Sequence, residues 1–271
     1  ATGLTEFATD PYMLIVLALG VFLGSIGFPV IFALYRYAVG GGWKTHRRLG
    51  LHAKLTLITF AILFVLGTLA YPVLESVEGN VFVALDPGQR VLQASFMSAM
   101  ARSGGFSTVD YGQLDGSSLL VTDMLMFVGG GSASTAGGIK VTTLAILFLA
   151  AVAEARGSDE MEAYERRIPQ DVLRLAVSVV LWGATLVAAT TITLMLITEA
   201  PLDHVLFDAI SAFATCGLTT GFTASADDPA QLVLAATMFA GRIGTVTLAA
   251  ALAQSQRRQL FRRPEERPIV G

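Results

Sequence analysis

The sequence predicts an all-α membrane protein built from repeated units of helix, re-entrant loop and helix. Three observations carry that expectation: charged residues are scarce, several uncharged runs have the length of a bilayer crossing, and the order of elements recurs. Of 271 residues, 54% are apolar and 14% are Asp, Glu, Lys or Arg, against about 25% charged in soluble domains. Mean hydropathy is +0.64. This balance argues against a soluble enzyme and against a disordered chain. The one cysteine, Cys216, excludes an intrachain disulfide and a cysteine-only metal site, and a net charge of -3 gives no reason to invoke nucleic acid.

The uncharged runs are 25 residues between Asp10 and Arg36, 20 between Lys54 and Glu75, and 24 between Arg174 and Glu199. A span needs about 20 apolar residues, so each is expected to cross as a helix. Two further crossings are expected to be irregular. One, Met124 to Ala153, is interrupted by Gly129-Gly130-Gly131-Ser132-Ala133-Ser134-Thr135-Ala136-Gly137-Gly138 and by Lys140; the other, Pro229 to Gln256, by Arg242 and nearby glycines. Val91–Ala101 and Ala209–Phe222 are apolar but too short to cross, and each ends in Gly, Ser and Thr. Non-helical backbone at membrane depth survives where protein or a water-filled cavity covers it, so both are expected to re-enter.

Stretches 36–54, 154–174 and 257–267 hold 14 of the 18 Lys and Arg residues, which makes them cytoplasmic by the positive-inside rule. The opposite loops carry Glu75, Glu78, Asp86, Asp110, Asp115, Asp123, Glu199, Asp203, Asp208, Asp227 and Asp228. Such an acidic outer face would concentrate cations at a mouth.

The order of span, re-entry and span occurs at 51–74, 89–108 and 119–153, then again at 171–198, 204–222 and 229–256. Gly105 to Gly129 is 24 residues and ends in Met126-Phe127-Val128-Gly129; Gly217 to Gly241 is also 24 and ends in Met238-Phe239-Ala240-Gly241. Residues 11–36 resemble the last helix of an earlier copy, with Phe22-Leu23-Gly24 at the corresponding place. The matching re-entrant glycine is expected before Ala1. The sequence therefore reads as a fragment whose missing N-terminal half carries further loops.

The loop tips are Ser103-Gly104-Gly105-Phe106-Ser107 and Thr215-Cys216-Gly217-Leu218-Thr219. Carbonyls turned to one axis replace an ion's hydration shell, and glycine permits the turning. Ser and Thr hydroxyls add oxygen ligands, with Phe106 and Leu218 anchoring the loops by packing behind them. The C-terminal end of each preceding helix favours a cation, and an uncharged oxygen cage suits a monovalent one. The alternative for both loops is close helix packing through small residues. The run from Gly129 to Gly138 does not meet the phosphate-loop pattern, since Ile139 follows Gly138 and Val141 follows Lys140. It reads as flexible backbone lining a pore, with a gating role. Arg242 is expected to hydrogen-bond carbonyls of that run or to clamp a buried acid such as Asp123 or Asp208. Arg102 is expected to brace the first tip from behind, and Lys140 to snorkel toward the cytoplasm.

On Ala101-Arg102-Ser103-Gly104-Gly105-Phe106-Ser107-Thr108-Val109-Asp110, the glycine-rich run through Lys140, Thr215-Cys216-Gly217-Leu218-Thr219-Thr220-Gly221 and Gly241-Arg242-Ile243-Gly244-Thr245, the sequence resembles the Trk/Ktr/HKT superfamily of potassium transporters. It is most similar to their bacterial TrkH/KtrB-type membrane subunit. The resemblance implies a pseudo-fourfold cation pore of four such repeats. Residues 1–36 would be the last helix of repeat two, 37–54 a cytoplasmic loop and 55–156 repeat three. A cytoplasmic linker at 157–170, repeat four at 171–256 and a cytoplasmic tail at 257–271 complete the division. It implies potassium as the transported ion with sodium as a second candidate, Ser103–Ser107 and Thr215–Thr219 as filter, and Gly129–Gly138 opposed by Arg242 as gate. Val or Ala often stands in family filters where Cys216 and Gly104 stand here; both positions contribute main-chain carbonyls. It further implies a homodimer in the lipid of a bacterial plasma membrane, bound to a cytosolic nucleotide-binding regulatory subunit of the TrkA/KtrA type, with no nucleotide on this chain. A secondary transporter with broken helices around a midplane site and a non-conducting scaffold subunit are the competing functions.

Overall fold

A computed structural model describes residues 3–39, 49–75, 85–158 and 160–254, with the side chains of 244–254 left aside. The tail at 257–271, Glu78 and half of the 37–54 loop lie outside the described residues. Ten helices are present among them: α1 Pro11–Ile26, α2 Phe28–Val39, α3 Leu51–Leu74, α4 Pro87–Met100, α5 Gly116–Phe127, α6 Val141–Ala155, α7 Gln170–Ile197, α8 Leu202–Phe213, α9 Phe222–Ser225 and α10 Asp228–Gln254. α3 and α7 are long and apolar enough to cross a bilayer, and α1 with α2 passes the same test as a pair.

Local chemistry sets the helix ends. Asp10 caps α1 by accepting from the amides of Tyr12 and Met13 at 3.0 and 3.3 Å, with Pro11 next in line; a capping acceptor satisfies amides the helix leaves orphaned. Proline also opens α4, where its missing N–H costs nothing.

Two irregularities fall elsewhere than expected. The run 11–35 is not one continuous helix: it breaks at Gly27, φ +97°, and α2 leaves α1 at 97°. Pro29, two residues on, has no N–H to offer the preceding turn and suits a fresh helix start. The segment 229–256 was expected to be interrupted at Arg242, yet α10 runs unbroken from Asp228 to Gln254. Gly241 costs helix propensity, but it faces α8: a Cβ there would collide with the Phe213 backbone. The break between α5 and α6 stands as expected.

The linker 157–170 contains a β-hairpin, Met161–Ala163 against Arg166–Ile168. Tyr164 and Glu165 at its turn both have positive φ, as the primed two-residue turn requires. Met161, Ala163 and Ile168 bury against Leu149, Ala153 and Leu173.

α3 packs on α4 and α5, and α7 packs on α8 and α10. Across units, α1 lies against α4 as α5 lies against α8. The main core, with Tyr71, Met97, Tyr111, Met126, Phe207 and Phe213, is built around the two short helices α4 and α8.

Candidate functional site

Both loops leave their helices alike. α4 caps at Ala101 and α8 at Ala214; Ser103 and Thr215 then take positive φ of 64° and 48°, and Gly105 and Gly217 follow at 70° and 100°. Alternate left-handed positions prevent continuation as helix or strand, and at the second of them glycine takes the positive φ without steric penalty. The tips touch. A Cβ on Gly217 would lie 3.6 Å from the Gly105 Cα, and one on Gly105 would collide with the Cys216 carbonyl. Ser103 Oγ donates to the Ala214 carbonyl at 3.1 Å, and the Cys216 thiol faces the Met100 carbonyl at 3.3 Å. The structure thus brings the two predicted segments together at one place.

The loops differ by one residue. Between cap and first positive-φ position the first loop has an extra residue, Arg102. It is fully buried, donates to the Phe60 carbonyl at 3.1 Å and lies 4.4 Å over the Phe60 ring. Its own carbonyl accepts from Ser25 Oγ at 2.9 Å. It braces the tip from behind, as expected, and the aromatic face supports its charge. Phe60→Ala removes that face and a buried ring, with an expected loss of about 3–5 kcal/mol, read as a lower unfolding midpoint in detergent.

The second loop is held by Asp208 of α8, which is buried. Its carboxylate accepts from Thr219 Oγ1 at 2.7 Å, from the Thr220 and Thr223 amides at 3.0 Å each, and from both the Thr220 and Thr223 hydroxyls. Asp208→Asn would turn an NH2 toward donors where an acceptor stood. Each charge-assisted bond is worth about 1.5–3 kcal/mol, so the variant is expected to loosen the second tip, read as faster amide hydrogen exchange at 219–223.

Several expectations are corrected. Thr219 Oγ1 donates to Asp208 and Ser103 Oγ to the Ala214 carbonyl, while Thr215 Oγ1 is the buried tip hydroxyl with no hydrogen-bond partner among the described residues. Leu218 anchors its loop, but Phe106 is 45% exposed on a side no described residue covers. Glu75, Asp123 and Asp208 are buried and do not belong to a solvated acidic mouth. Lys140 does not snorkel; its ammonium donates to the Ala136 carbonyl at 2.6 Å, because the chain folds back on itself there.

The glycine-rich segment forms a closed lobe between α5 and α6. Val128 pairs with Ile139, and Val141 N donates to the Gly130 carbonyl at 3.0 Å across its neck. The lobe reaches the tips: Gly137 N donates to Ser103 Oγ at 3.2 Å, and a Cβ on Gly137 would collide with the Ala214 carbonyl and Thr215 Oγ1. From α10, Arg242 donates to the Thr135 carbonyl, so its partner is the lobe and not a buried acid.

One candidate was missed. Gly3-Leu4-Thr5 repeats Gly217-Leu218-Thr219, Gly3 has φ +53°, and Leu4 N donates to the Ser107 carbonyl at 2.6 Å. The matching glycine expected before Ala1 therefore has a counterpart inside the chain. Its connection to the next helix is three residues shorter than in the other two units, which is why a fixed spacing of 24 overshoots it.

A largely helical fold with helices apolar enough to cross a membrane, and with two glycine tips in contact, fits a membrane transporter of cations. The chain belongs to the TrkH family of cation transport proteins, whose model matches residues 2–260; it is a family of transporters, not of enzymes. The sequence is 35% identical to Ktr system potassium uptake protein B of Vibrio alginolyticus and 32% identical to Ktr system potassium uptake protein D of Bacillus subtilis (strain 168), covering 99% of this chain in each case. It spans 58% and 59% of the lengths of those relatives. The fold matches the crystal structure of the potassium transporter TrkH from Vibrio parahaemolyticus with a TM-score of 0.71 at 18% identity, over 94% of this chain and 54% of that one.

Proposed function

We propose that this chain supplies part of a potassium uptake pore in the bacterial plasma membrane. The observation that carries the reading is the contact of the two tips at Gly105 and Gly217, each preceded by a left-handed Ser103 or Thr215. Potassium, with sodium as the second candidate, passes along carbonyls of 103–107 and 215–219, with Thr215 Oγ1 as a further ligand and Gly3–Thr5 as a third tip. The names of the Ktr relatives support potassium as cargo.

The lobe at 129–138 is the gate. In support, it lies directly against both tips and is held by Arg242 and Lys140. The recurring packing order supports residues 1–36 as the end of one repeat, 55–156 as the next and 171–256 as the last. The basic stretches face the cytoplasm, where a nucleotide-binding regulatory subunit docks on a homodimer.

The test is rubidium and sodium flux into liposomes holding the purified full-length protein. The proposal expects potassium-competed rubidium entry that exceeds sodium entry. Liposomes no leakier than protein-free ones, with correctly folded protein, would sink it.

A further inference from the structure

The break in α1–α2 and the glycine-rich lobe are one structural unit. A helix leaves its last carbonyls and first amides without partners, and at Gly27 two helix ends meet in the middle of an apolar run. The lobe supplies the partners. Gly131 N donates to the Ser25 carbonyl at 2.7 Å and Thr135 N to the Gly24 carbonyl at 3.1 Å, which caps α1. Phe28 N donates to the Ala133 carbonyl at 3.2 Å, which caps α2. The fit is close on both sides: a Cβ on Gly27 would lie 2.5 Å from the Ser132 carbonyl and one on Gly24 2.8 Å from Thr135 Oγ1, while Gly131 abuts the Ile26 carbonyl. Ser25 also reaches the first tip through its hydroxyl on the Arg102 carbonyl. One residue therefore touches lobe and loop tip together.

If the lobe moved away while the elbow stayed bent, these groups would be stranded without partners in an apolar setting, at a cost of several kcal/mol. A continuous helix removes most of that cost, because Phe28 N then meets the Gly24 carbonyl as in any α-helix. The Ser25 carbonyl stays uncapped and the Pro29 ring, which has no N–H, crowds it, so the continuous helix keeps a kink there. A cavity of about 310 Å³ beside Ser132 and Ala133, between α6 and α7, offers the lobe room to move. We propose that the Gly27 elbow is the positioning element of the gate: it is bent while the lobe caps it and straightens when the lobe leaves, so that gate opening and α1–α2 straightening are one transition.

This rests on the lobe being the gate, and two variants separate the claims. Gly27→Ala disfavours the +97° backbone and crowds Ser132, shifting the balance toward the straight form by roughly tenfold. The full-length variant is expected to show a rubidium flux raised on that order in liposomes. The second variant, Phe28→Cys with Ala133→Cys, ties elbow to lobe when oxidised; its flux is expected to vanish and return on reduction. If deletion within 132–136 raises flux while Gly27→Ala does not and the oxidised pair conducts normally, the elbow proposal is wrong and the gate stands. If the deletion itself leaves flux unchanged, the gate reading fails first. Should Gly27→Ala not fold, the crosslink decides alone.

Discussion

Replacing Gly217 with aspartate in the full-length protein is expected to abolish potassium uptake while leaving the protein in the membrane. Two effects add. Gly217 sits at φ +100°, where a Cβ costs about 1–2 kcal/mol. The larger effect is charge. A carboxylate about 4 Å from a passing cation attracts it by about 4 kcal/mol at an effective dielectric near 20, which lengthens the ion's stay roughly a thousandfold. A filter must bind weakly enough to release, so throughput is expected to fall by about three orders of magnitude. Gly217→Ala carries only the backbone strain and is expected to fall far less. Uptake into cells lacking other potassium systems, with surface-labelled protein as the insertion control, reads both. Undiminished uptake by the aspartate variant would remove Gly217 from the ion path.

Deleting residues 132–136 is expected to raise flux on the order of tenfold or more. The deleted piece holds the Thr135 and Ala136 carbonyls that Arg242 and Lys140 bind, and it leads directly to Gly137, whose amide meets Ser103. Without it the clamps from Arg242 and Lys140 are gone. Arg242→Gln should act in the same direction with a smaller effect, since a hydrogen bond to a charged group is worth about 1.5–3 kcal/mol. Unchanged flux through a correctly folded deletion variant would make the lobe a passive kink.

What the sequence made legible was what local composition controls. The spans at α3 and α7, the short apolar segments that became α4 and α8, and the break before Gly129 all follow from run length, charge and glycine density. The elbow at Gly27 was hidden because hydropathy is blind to it: Gly27-Phe28-Pro29 lies inside an uncharged run, and the bend is stabilised by a lobe about a hundred residues away. The continuity of α10 was obscured for the opposite reason, since Gly241 and Arg242 look like a break but serve contacts with Phe213 and Thr135. The burial of Asp208 could not be read from its place in an acidic loop, although the Thr219-Thr220 pair and Thr223 downstream supply the donors it needed. Gly3 was legible as a Gly-Leu-Thr repeat and was lost only to an assumed spacing. The close packing of tips, lobe and elbow is tertiary, and no window of sequence contains it.

The central claim is that the tips around Gly105 and Gly217 hold a bare alkali cation on a shared axis. The most direct measurement is anomalous scattering from crystals of the full-length protein grown with rubidium or thallium. The account predicts anomalous peaks between the two tips, within coordination distance of carbonyls from both 103–107 and 215–219, lost in the Gly217→Asp variant or moved onto its carboxylate. Transport-competent protein whose crystals show no ion between the tips, with the heavy cation bound elsewhere along the path, would contradict it.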